Sequence, residues 1–318
     1  MTILSVVIVN WNVRDLLQRC LASVGGCAAG EDPLCEVIVV DSASSDGSQA
    51  MVRESYPHVK LVACETNVGF VRGNNLGVAQ STGSFILLLN PDTEVVDDAL
   101  AEMTRYLDSH PGVGAVGPML LDPNGQIQPS RRRFPVLATA LVESTMFQPW
   151  FQNSSLLRRY YCLDRDPRQA QEVDWLVGAC LLVRREAWQR VGPLDENIFM
   201  YSEELDWCHR AKEDGWSIVY LPSARVVHHE AQSSSQVSGP RHIYFETSKV
   251  YYFRKHHGAL VGETLRVFLL STYLLQSVLE ALKWLVGHKR GLRQDRLAAY
   301  LAVLRSGLKT SAPRGTGS

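Results

Sequence analysis

An apolar run that stops abruptly constrains the fold of this chain more than any other feature. Residues 85–89 read Phe-Ile-Leu-Leu-Leu and are followed at once by Asn90, Pro91 and Asp92. A short uninterrupted run of this kind predicts a strand buried on both faces, as in a mostly parallel sheet. Its carboxyl end would deliver Asp92 to the edge where open α/β sheets bind ligands. A plain strand and turn is the alternative, since Asn-Pro-Asp is also common turn chemistry.

The rest of the first half alternates strand and helix patterns. Such a rhythm predicts parallel strands joined by right-handed crossovers, so polar residues that follow the strands should meet at one rim. Those residues are Asn10, Asp41, Asn67 and Asp92. Further strands are predicted at 4–9, 37–40, 60–63 and 113–118, and helices at 16–24, 44–53, 74–80 and 97–109.

Composition narrows the class of protein. The chain has 318 residues, 46% of them hydrophobic and 20% charged, which is enough for a large core. Its formal net charge of −1 argues against a nucleic-acid partner bound through a broad basic surface. Neither a G-x-x-x-x-G-K-[ST] loop nor a G-x-G-x-x-G that opens a first helix is present, so ATPase and dinucleotide dehydrogenase functions lose their usual support.

The seven cysteines are scattered, odd in number and without a C-x-x-C pair. This pattern predicts neither a zinc site nor a disulfide framework. A reducing, cytoplasmic compartment is the expectation that fits it.

The stretch that begins at Asp41 combines a carboxylate with serines and Gly47. A carboxylate at a strand end can accept hydrogen bonds from a nucleotide base or from ribose hydroxyls, although a simple helix cap explains the same residues. A nucleotide held without a glycine cradle needs another partner for its diphosphate. A divalent metal bound by Asp92 would supply one.

A second cluster places Glu203, Glu204 and Asp206 within one helical turn. Adjacent carboxylates repel each other when ionised, so one of them can have a raised proton affinity that suits a general base. The alternative is a solvated acidic turn in which Arg210 pairs with Asp206. Aromatic and apolar neighbours such as Trp207 favour a pocket over that alternative.

A third cluster ends the strand-like stretch 218–227 with His228 and His229. A neutral imidazole is a reasonable additional ligand for a metal already bound by a carboxylate. Paired histidines at a strand end are also common surface residues. The three consecutive arginines at 131–133 could bind phosphate, but a solvated loop is the expectation for them.

Taken in order, these motifs resemble the family 2 glycosyltransferases of the GT-A fold, most closely the bacterial rhamnosyltransferase-like branch that builds cell-surface polysaccharides. The resemblance covers about residues 3–255 and rests on an ordered set of stretches, each weak singly. They are Val6-Val-Ile-Val-Asn-Trp-Asn12, the segments 37–48 and 67–77, Leu87-Leu-Leu-Asn-Pro-Asp-Thr93, and the segments 178–184, 203–208 and 226–228.

The resemblance implies a mixed, mostly parallel sheet flanked by helices, in a domain of residues 1–257 with a nucleotide-binding half (1–118) and an acceptor half (119–257). Residues 258–318 would form a C-terminal helical extension. The implied activity is inverting transfer of a sugar, such as rhamnose, from a nucleoside diphosphate to a glycan or lipid-linked saccharide. The implied cofactor is Mg²⁺ or Mn²⁺.

The resemblance also implies roles for single residues. Glu204 would be the catalytic base; because the family has Asp there, Glu203 and Asp206 stay open as alternatives. Asp92 and His228 would bind the metal, with His229 an alternative to His228, and Asn90 replaces the first acid of the D-x-D-like motif. Nucleotide-sugar contacts are expected from Asn10, Asn12, Asp41, Ser44, Asn75, Asn90 and Asp92, and acceptor contacts from Trp175, Gly178 and Ala179.

The C-terminal stretch 260–286 is strongly apolar, but its uncharged centre, 267–279, is shorter than the roughly 20 residues that span a bilayer. It predicts either an interfacial helix, so that 260–300 would contact a membrane surface, or a helical hairpin packed on the catalytic domain. In the first case four basic residues would face anionic headgroups: Lys289, Arg290, Arg293 and Arg296.

Two other classes of function remain open at this point. A nucleotidyltransferase could use a similar sheet and metal, although the chain lacks an early glycine-rich loop with a basic residue. A non-catalytic glycan-binding protein is favoured if Asp92, Glu204 and His228 do not share one cleft.

Overall fold

The computed structural model describes residues 3–29, 34–143, 145–229, 238–287 and 289–309. Within them, one nine-stranded sheet has the order β3-β2-β1-β4-β10-β6-β11-β5, with β8 paired to β11. Its strands are β1 (Leu4–Asn10), β2 (Cys35–Asp41), β3 (Lys60–Ala63), β4 (Phe85–Leu89), β5 (Thr93–Val96), β6 (Val113–Leu121), β8 (Gln171–Val173), β10 (Cys180–Arg184) and β11 (Ser217–His228). A two-stranded sheet pairs β7 (Arg131–Arg132) with β9 (Trp175–Leu176).

Helices cover both faces of the large sheet. In chain order they are α1 (Arg14–Ser23), α2 (Gly26–Ala29), α3 (Ser48–Ser55), α4 (Phe70–Ala79), α5 (Ala99–Ser109), α6 (Leu137–Val142), α7 (Gln148–Phe151), α8 (Ser155–Tyr160), α9 (Arg185–Val191), α10 (Glu203–Glu213), α11 (Ser238–His257), α12 (Ala259–Leu285) and α13 (Arg290–Ser306).

Strand directions explain why the functional residues meet. β1, β2, β3 and β4 are parallel, β10 runs antiparallel between β4 and β6, and β11 is parallel to β6. The carboxyl ends of β1, β2, β4 and β11 therefore share one rim, which the amino end of β10 also reaches. The predicted mixed, mostly parallel sheet is confirmed.

The apolar run 85–89 forms β4, and all five of its residues are buried, as predicted. Both faces are covered because the two layers of helices bury alternate residues of the central strands. Val7 of β1 packs in the layer with α4 and α11, whereas Ile8 packs in the layer with α1 and α5. Each fully buried aliphatic side chain of this kind contributes about 1.5–3 kcal/mol.

Several boundaries differ from the sequence expectation. Residues 93–96 form the edge strand β5, paired antiparallel with β11, so the helix predicted from 97 begins at Ala99. The helix predicted from 44 begins at Ser48, because residues 44–46 hydrogen-bond across to the loop after β1. β6 continues to Leu121, three residues beyond its predicted end.

The C-terminal stretch forms a helical hairpin packed on the domain. α12 packs on α11 and α13 and buries Leu265, Leu269 and Tyr273. Within the described residues, α12 is the one helix long and apolar enough to cross a membrane by length and composition, and 33% of its most apolar window is buried. An interfacial helix would have placed Arg293 against lipid headgroups. Arg293 is instead buried and pairs with Glu280 at 2.7 Å.

One face of α12 remains exposed and apolar. We call it the apolar stripe; its members recur every three, four or seven residues, which places them on the side of the helix opposite the buried residues. They are Val267, Leu274, Val278, Leu282 and Leu285, each at least half exposed.

Two sequence expectations are wrong. Cys27 of α2 and Cys35 of β2 form a disulfide, since their Cα atoms lie 5.2 Å apart, within bonding range. The arginines at 131–133 are not a solvated loop. Arg131 is buried, with its guanidinium donating to backbone carbonyls of Arg165 and Asp166, and Arg132 lies 4.5 Å from the Tyr161 ring centroid.

Candidate active site

Asp92 and His228 face each other at the rim of the sheet. Asp92 follows β4 and His228 ends β11, and the Nε2 atom of His228 lies 3.6 Å from Oδ1 of Asp92. Both side chains are at least nine-tenths buried, and Oδ1 makes no hydrogen bond to any described residue. A buried carboxylate oxygen without a donor is costly unless a cation satisfies it. An imidazole nitrogen beside a carboxylate is a ligand set that suits Mn²⁺ and related divalent ions.

The neighbouring histidine points elsewhere. The Nε2 atom of His229 lies 2.7 Å from Oε1 of Glu94 on β5, and its backbone N–H donates to the carbonyl of Asp92. His228 therefore faces Asp92, and His229 faces Glu94.

Asn90 lies between the end of β4 and Asp92. Its backbone N–H donates to the carbonyl of Ala179 at 2.9 Å, which ties the end of β4 to the start of β10. Its side-chain Oδ1 is buried and accepts no hydrogen bond from the described residues. A second unsatisfied oxygen thus lies two residues from Asp92.

The nucleotide side of the rim is organised around Asp41. Its two carboxylate oxygens accept hydrogen bonds from the side chains of Asn10 and Gln49 and from the backbone N–H of Ser44. Ser44 also accepts from the backbone N–H of Asn12, so these predicted nucleotide contacts form one network. Asp41 is fully buried and orders this loop, while the buried Oδ1 of Asn10 accepts no hydrogen bond from the described part of the chain.

Asn75 does not join that network. Its side-chain amide makes a pair of hydrogen bonds with the backbone of Leu194, and a third with Glu196. The structure thus uses Asn75 to tie α4 to the loop before α10.

The loop before α10 leads into Glu203 and Glu204 through a constrained backbone. Tyr201 and Ser202 both have positive φ, 69° and 68°, a region that side chains other than Gly seldom adopt. Phe199 in this loop packs on Gly69, where an added Cβ would lie 2.6 Å from the ring, so the approach requires glycine. Strain of this kind often marks functional sites.

Glu204 lies at the start of α10 and points towards Gly178, in the turn between β9 and β10. Its Oε1 accepts the backbone N–H of Gly178 at 3.2 Å, and its Oε2 has no hydrogen-bond partner among the residues described. Burial raises the pKa of Glu204, while backbone hydrogen bonds and the charge of Arg132 act in the opposite direction. Burial and the neighbouring Glu204 charge raise the pKa of Glu203 well above its usual value.

Asp206 has the opposite surroundings on the same helix. Its carboxylate pairs with Arg210 at 2.9 Å and with Lys255 and His256 at 2.7 Å each. Burial alone would raise its pKa, but the hydrogen bonds from His256 and Lys255 outweigh burial and hold the pKa well below the usual range. The predicted pairing of Asp206 with Arg210 is present, and a carboxylate that already pairs with Arg210, Lys255 and His256 is poorly suited to accept a substrate proton.

Of the predicted acceptor residues Trp175, Gly178 and Ala179, Gly178 contacts Glu204. At Gly178 an added Cβ would lie 3.4 Å from the Glu204 side chain, so only a small residue leaves room there. Ala179 is buried and contributes its carbonyl to Asn90, not a surface for a sugar. Trp175 is mostly buried and donates its indole N–H to the carbonyl of Arg133.

Asp92, His228 and Glu204 share one rim. Glu204 bonds to Gly178, the next residue bonds to Asn90, and Asn90 is two residues from Asp92. These contacts connect Glu204 to the segment that carries Asp92.

Comparison with known proteins decides the family. The family model described as "Glycosyl transferase family 2" matches residues 5–192, more than half of the chain. The chain belongs to this family.

Relatives and solved structures agree with that membership. This glycosyltransferase is 32% identical over 245 residues to the N-acetylglucosaminyl-diphospho-decaprenol L-rhamnosyltransferase of Mycobacterium tuberculosis, a match that covers 74% of this chain and 78% of the relative. It is 28% identical over 169 residues to the rhamnosyltransferase WbbL of Escherichia coli, covering 51% and 61% of the two chains. The mannosyltransferase of Pyrobaculum calidifontis, solved with GDP-Man and Mn²⁺, superposes with a TM-score of 0.56 at 17% identity over 96% of this chain and 86% of that one.

Two residues of the glycosyltransferase site escaped the sequence analysis. Gln128 contacts both the ring and the backbone carbonyl of His228. Arg132, expected in a solvated loop, places its charge where it acts on Glu204. Both lie in the segment after β6, whose sequence carries turn residues but no motif that points to a site.

Proposed function

We propose that this enzyme transfers a deoxyhexose of the rhamnose type from a nucleoside diphosphate to a hydroxyl of a lipid-linked saccharide, in the synthesis of a cell-surface polysaccharide. The observation that carries the proposal is the shared rim of Asp92, His228 and the buried base candidate Glu204. On this rim the unpaired Oδ1 of Asp92 faces the ring of His228. Two relatives bear the name rhamnosyltransferase, and one acts on a diphospho-decaprenol acceptor, which supports both the sugar and the acceptor class.

The donor would lie along the rim from the loop of Asn10 and Asp41 to Asp92. Asp92 and His228 would hold a divalent ion, Mg²⁺ or Mn²⁺, and the ion would neutralise charge that develops on the leaving diphosphate. The buried Oδ1 atoms of Asn10 and Asn90 can accept hydrogen bonds from hydroxyl or N–H groups of the nucleotide sugar.

Glu204 would act as the general base. It removes the proton of the acceptor hydroxyl while that oxygen bonds to the anomeric carbon and the carbon–oxygen bond to the diphosphate breaks, so the electron pair leaves with the nucleotide. Displacement in one step inverts the anomeric carbon. Burial raises the pKa of Glu204 and so increases the affinity of the base for that proton.

A lipid-linked acceptor requires access to a membrane surface. The apolar stripe of α12 would lie on the cytoplasmic face of the membrane, next to the basic residues Lys289 and Arg290 that follow the helix. Burial of the opposite face of α12 against α11 and α13 favours contact with the surface over a membrane crossing.

The activity is tested by a screen of donors. The full chain is mixed with dTDP-, UDP- and GDP-linked sugars and Mn²⁺, and both thermal stabilisation and release of the nucleoside diphosphate are measured. A donor at 100 times its Kd should stabilise the protein by about 2.7 kcal/mol. A lipid-linked N-acetylglucosamine acceptor should accelerate release of the nucleotide. If a different sugar is transferred, or if none is, the rhamnose assignment fails.

Membrane contact is tested by flotation with vesicles of phosphatidylcholine, with and without phosphatidylglycerol. The wild-type protein should float, and more strongly with the anionic lipid. Val278→Glu in the apolar stripe should remain in solution, whereas the exposed polar control Gln294→Glu should float as wild type does. Equal flotation of the two variants would contradict contact through the stripe.

A further inference from the structure

A short hairpin carries Gln128 to the end of β11. After β6 the chain turns between Asp122 and Gln126. The backbone N–H of Asp122 donates to the carbonyl of Gln126, and the N–H of Gln126 donates to the side chain of Asp122. The chain then returns along β6, so that the N–H of Gln128 donates to the carbonyl of Leu120 at 2.9 Å. Because β6 and β11 are parallel neighbours, this return places Gln128 beside His228, one hundred residues later in the chain.

The side chain of Gln128 holds His228 at two points. Its Nε2 atom donates to the backbone carbonyl of His228 at 2.9 Å, and its Oε1 atom lies 3.0 Å from the ring atom Nδ1. A carbonyl oxygen can only accept, so the amide nitrogen must face it and the amide oxygen must face the ring. The amide oxygen is also only an acceptor, so Nδ1 of His228 must carry the hydrogen.

This arrangement leaves Nε2 as the ring nitrogen that can bind a metal, because Nδ1 carries the hydrogen. With the hydrogen on Nδ1, the neutral ring presents the lone pair of Nε2 towards Oδ1 of Asp92, 3.6 Å away. Two buried acceptors then face each other, and a cation between them satisfies both. If the hydrogen moved to Nε2, His228 would donate to Asp92 and the nitrogen could not bind a metal.

We infer that Gln128 is a positioning residue that holds His228 in the Nδ1–H tautomer and so keeps Nε2 available to a divalent metal. This inference rests on the proposed function, in which Asp92 and His228 hold that metal. Gln128 itself does not contact the metal or the substrate in this role. Partners of ligating histidines typically affect metal affinity by about 10–100-fold.

Two substitutions separate this role from a structural one. Gln128→Leu removes both hydrogen bonds. Gln128→Glu keeps an acceptor for Nδ1–H but loses the donor to the backbone carbonyl. Gln126→Leu is the matched control, because the Gln126 side chain is exposed in the same hairpin. His228→Ala reports the contribution of the ligand itself.

The readout is the affinity for Mn²⁺, measured on the full chain from the electron paramagnetic resonance signal of the free ion, with and without UDP or dTDP. Thermal melting confirms that each variant is folded. We expect Gln128→Leu to weaken Mn²⁺ binding by about 10–100-fold, and Gln128→Glu and Gln126→Leu to retain most of the affinity.

Other outcomes overturn the inference in distinguishable ways. If Gln128→Leu binds Mn²⁺ as tightly as wild type while His228→Ala does not, only the role of Gln128 is wrong. If Gln128→Glu loses as much affinity as Gln128→Leu, the bond to the backbone carbonyl matters and the tautomer does not. If His228→Ala binds as wild type does, the metal site in the proposed function fails, and the role of Gln128 fails with it.

Discussion

Asp41 and Asp92 occupy equivalent places on the rim, one at the end of β2 and one just after β4, yet their surroundings are opposite. Asp41 accepts three hydrogen bonds from protein donors, whereas Oδ1 of Asp92 accepts none from the described residues. Carboxylates with all their partners in the protein hold a loop in place. A buried carboxylate that lacks partners is held ready for a ligand, at a cost to the stability of the folded protein.

The first two turns of α10 repeat this contrast within four residues. Asp206 pairs with three basic side chains, while Glu203 and Glu204 each have a buried oxygen without a partner in the described chain. Carboxylates that are close in sequence can therefore have different roles, and the hydrogen-bond partners of each side chain distinguish the candidate general base from a structural carboxylate.

Removing the unsatisfied base should have the largest effect. Glu204→Gln keeps the size of the side chain but cannot accept the acceptor proton, so kcat should fall by about 10²–10⁴-fold while donor binding remains. Transfer kinetics and nucleotide titration measure the two quantities. Glu213→Gln, an exposed residue of the same helix, is the control. Near-normal turnover of Glu204→Gln would show that another group is the base.

Removing the fully paired carboxylate should affect folding, not chemistry. Asp206→Asn removes the charge that the partly exposed Arg210 and Lys255 pair with, at a cost of about 1.5–3 kcal/mol, which lowers the melting temperature by roughly 5 °C. Because the pKa of Asp206 is lowered in the folded protein, its stabilisation is present at neutral pH and is lost as pH falls below the usual range of an aspartate. The deficit of the variant should therefore shrink in acid.

Melting curves of wild type and Asp206→Asn across pH check this, with exposed Asp108→Asn as control. Turnover per folded molecule should stay near the wild-type value. A variant that melts normally but has lost its turnover would reverse the assigned roles of Asp206 and Glu204.

Neutralising Asp92 should weaken metal-dependent donor binding without a comparable loss of stability. Asp92→Asn removes the charge that favours a divalent ion, and we expect on the order of 100-fold weaker Mn²⁺ binding. Isothermal titration with Mn²⁺ measures the effect, and Asp98→Asn, an exposed neighbour, is the control. Unchanged affinity in Asp92→Asn would place the metal elsewhere.

The smallest effect should be a gain in stability. The raised pKa of Glu203 means that the folded protein loses stability as pH rises above the usual range of a glutamate. Glu203→Gln removes that cost, so the melting temperature should rise by about 2–4 °C for each kcal/mol recovered, at neutral pH only. A gain that persists in acid, where wild-type Glu203 is protonated in both states, would indicate a packing effect instead.

The parts of the site that the sequence revealed are those encoded by contiguous residues. Buried parallel strands are uninterrupted apolar runs, so β4 and the position of Asp92 after it could be predicted, and the same logic located His228. The acidic turn of α10 was visible because three carboxylates lie within four residues.

The remainder depends on contacts between distant segments. Gln128 acts on a residue one hundred positions away, and Asn75 bonds to a loop 119 residues later, so neither partner has a local signal. Edge strand β5 is only four residues long and owes its conformation to β11. The disulfide likewise depends on how close the end of α2 lies to the start of β2, which cysteine spacing does not specify.

The close packing of Phe199 on Gly69 has a consequence for redesign of this enzyme. Gly69 directly precedes α4, and Phe199 belongs to the loop before the proposed base Glu204, so the two segments meet at one contact. A larger residue at position 69, introduced to reshape the donor pocket, would push the loop that precedes Glu203 and Glu204. Attempts to change the transferred sugar should therefore leave this position alone and vary side chains along the rim, where new specificity need not disturb the proton transfer.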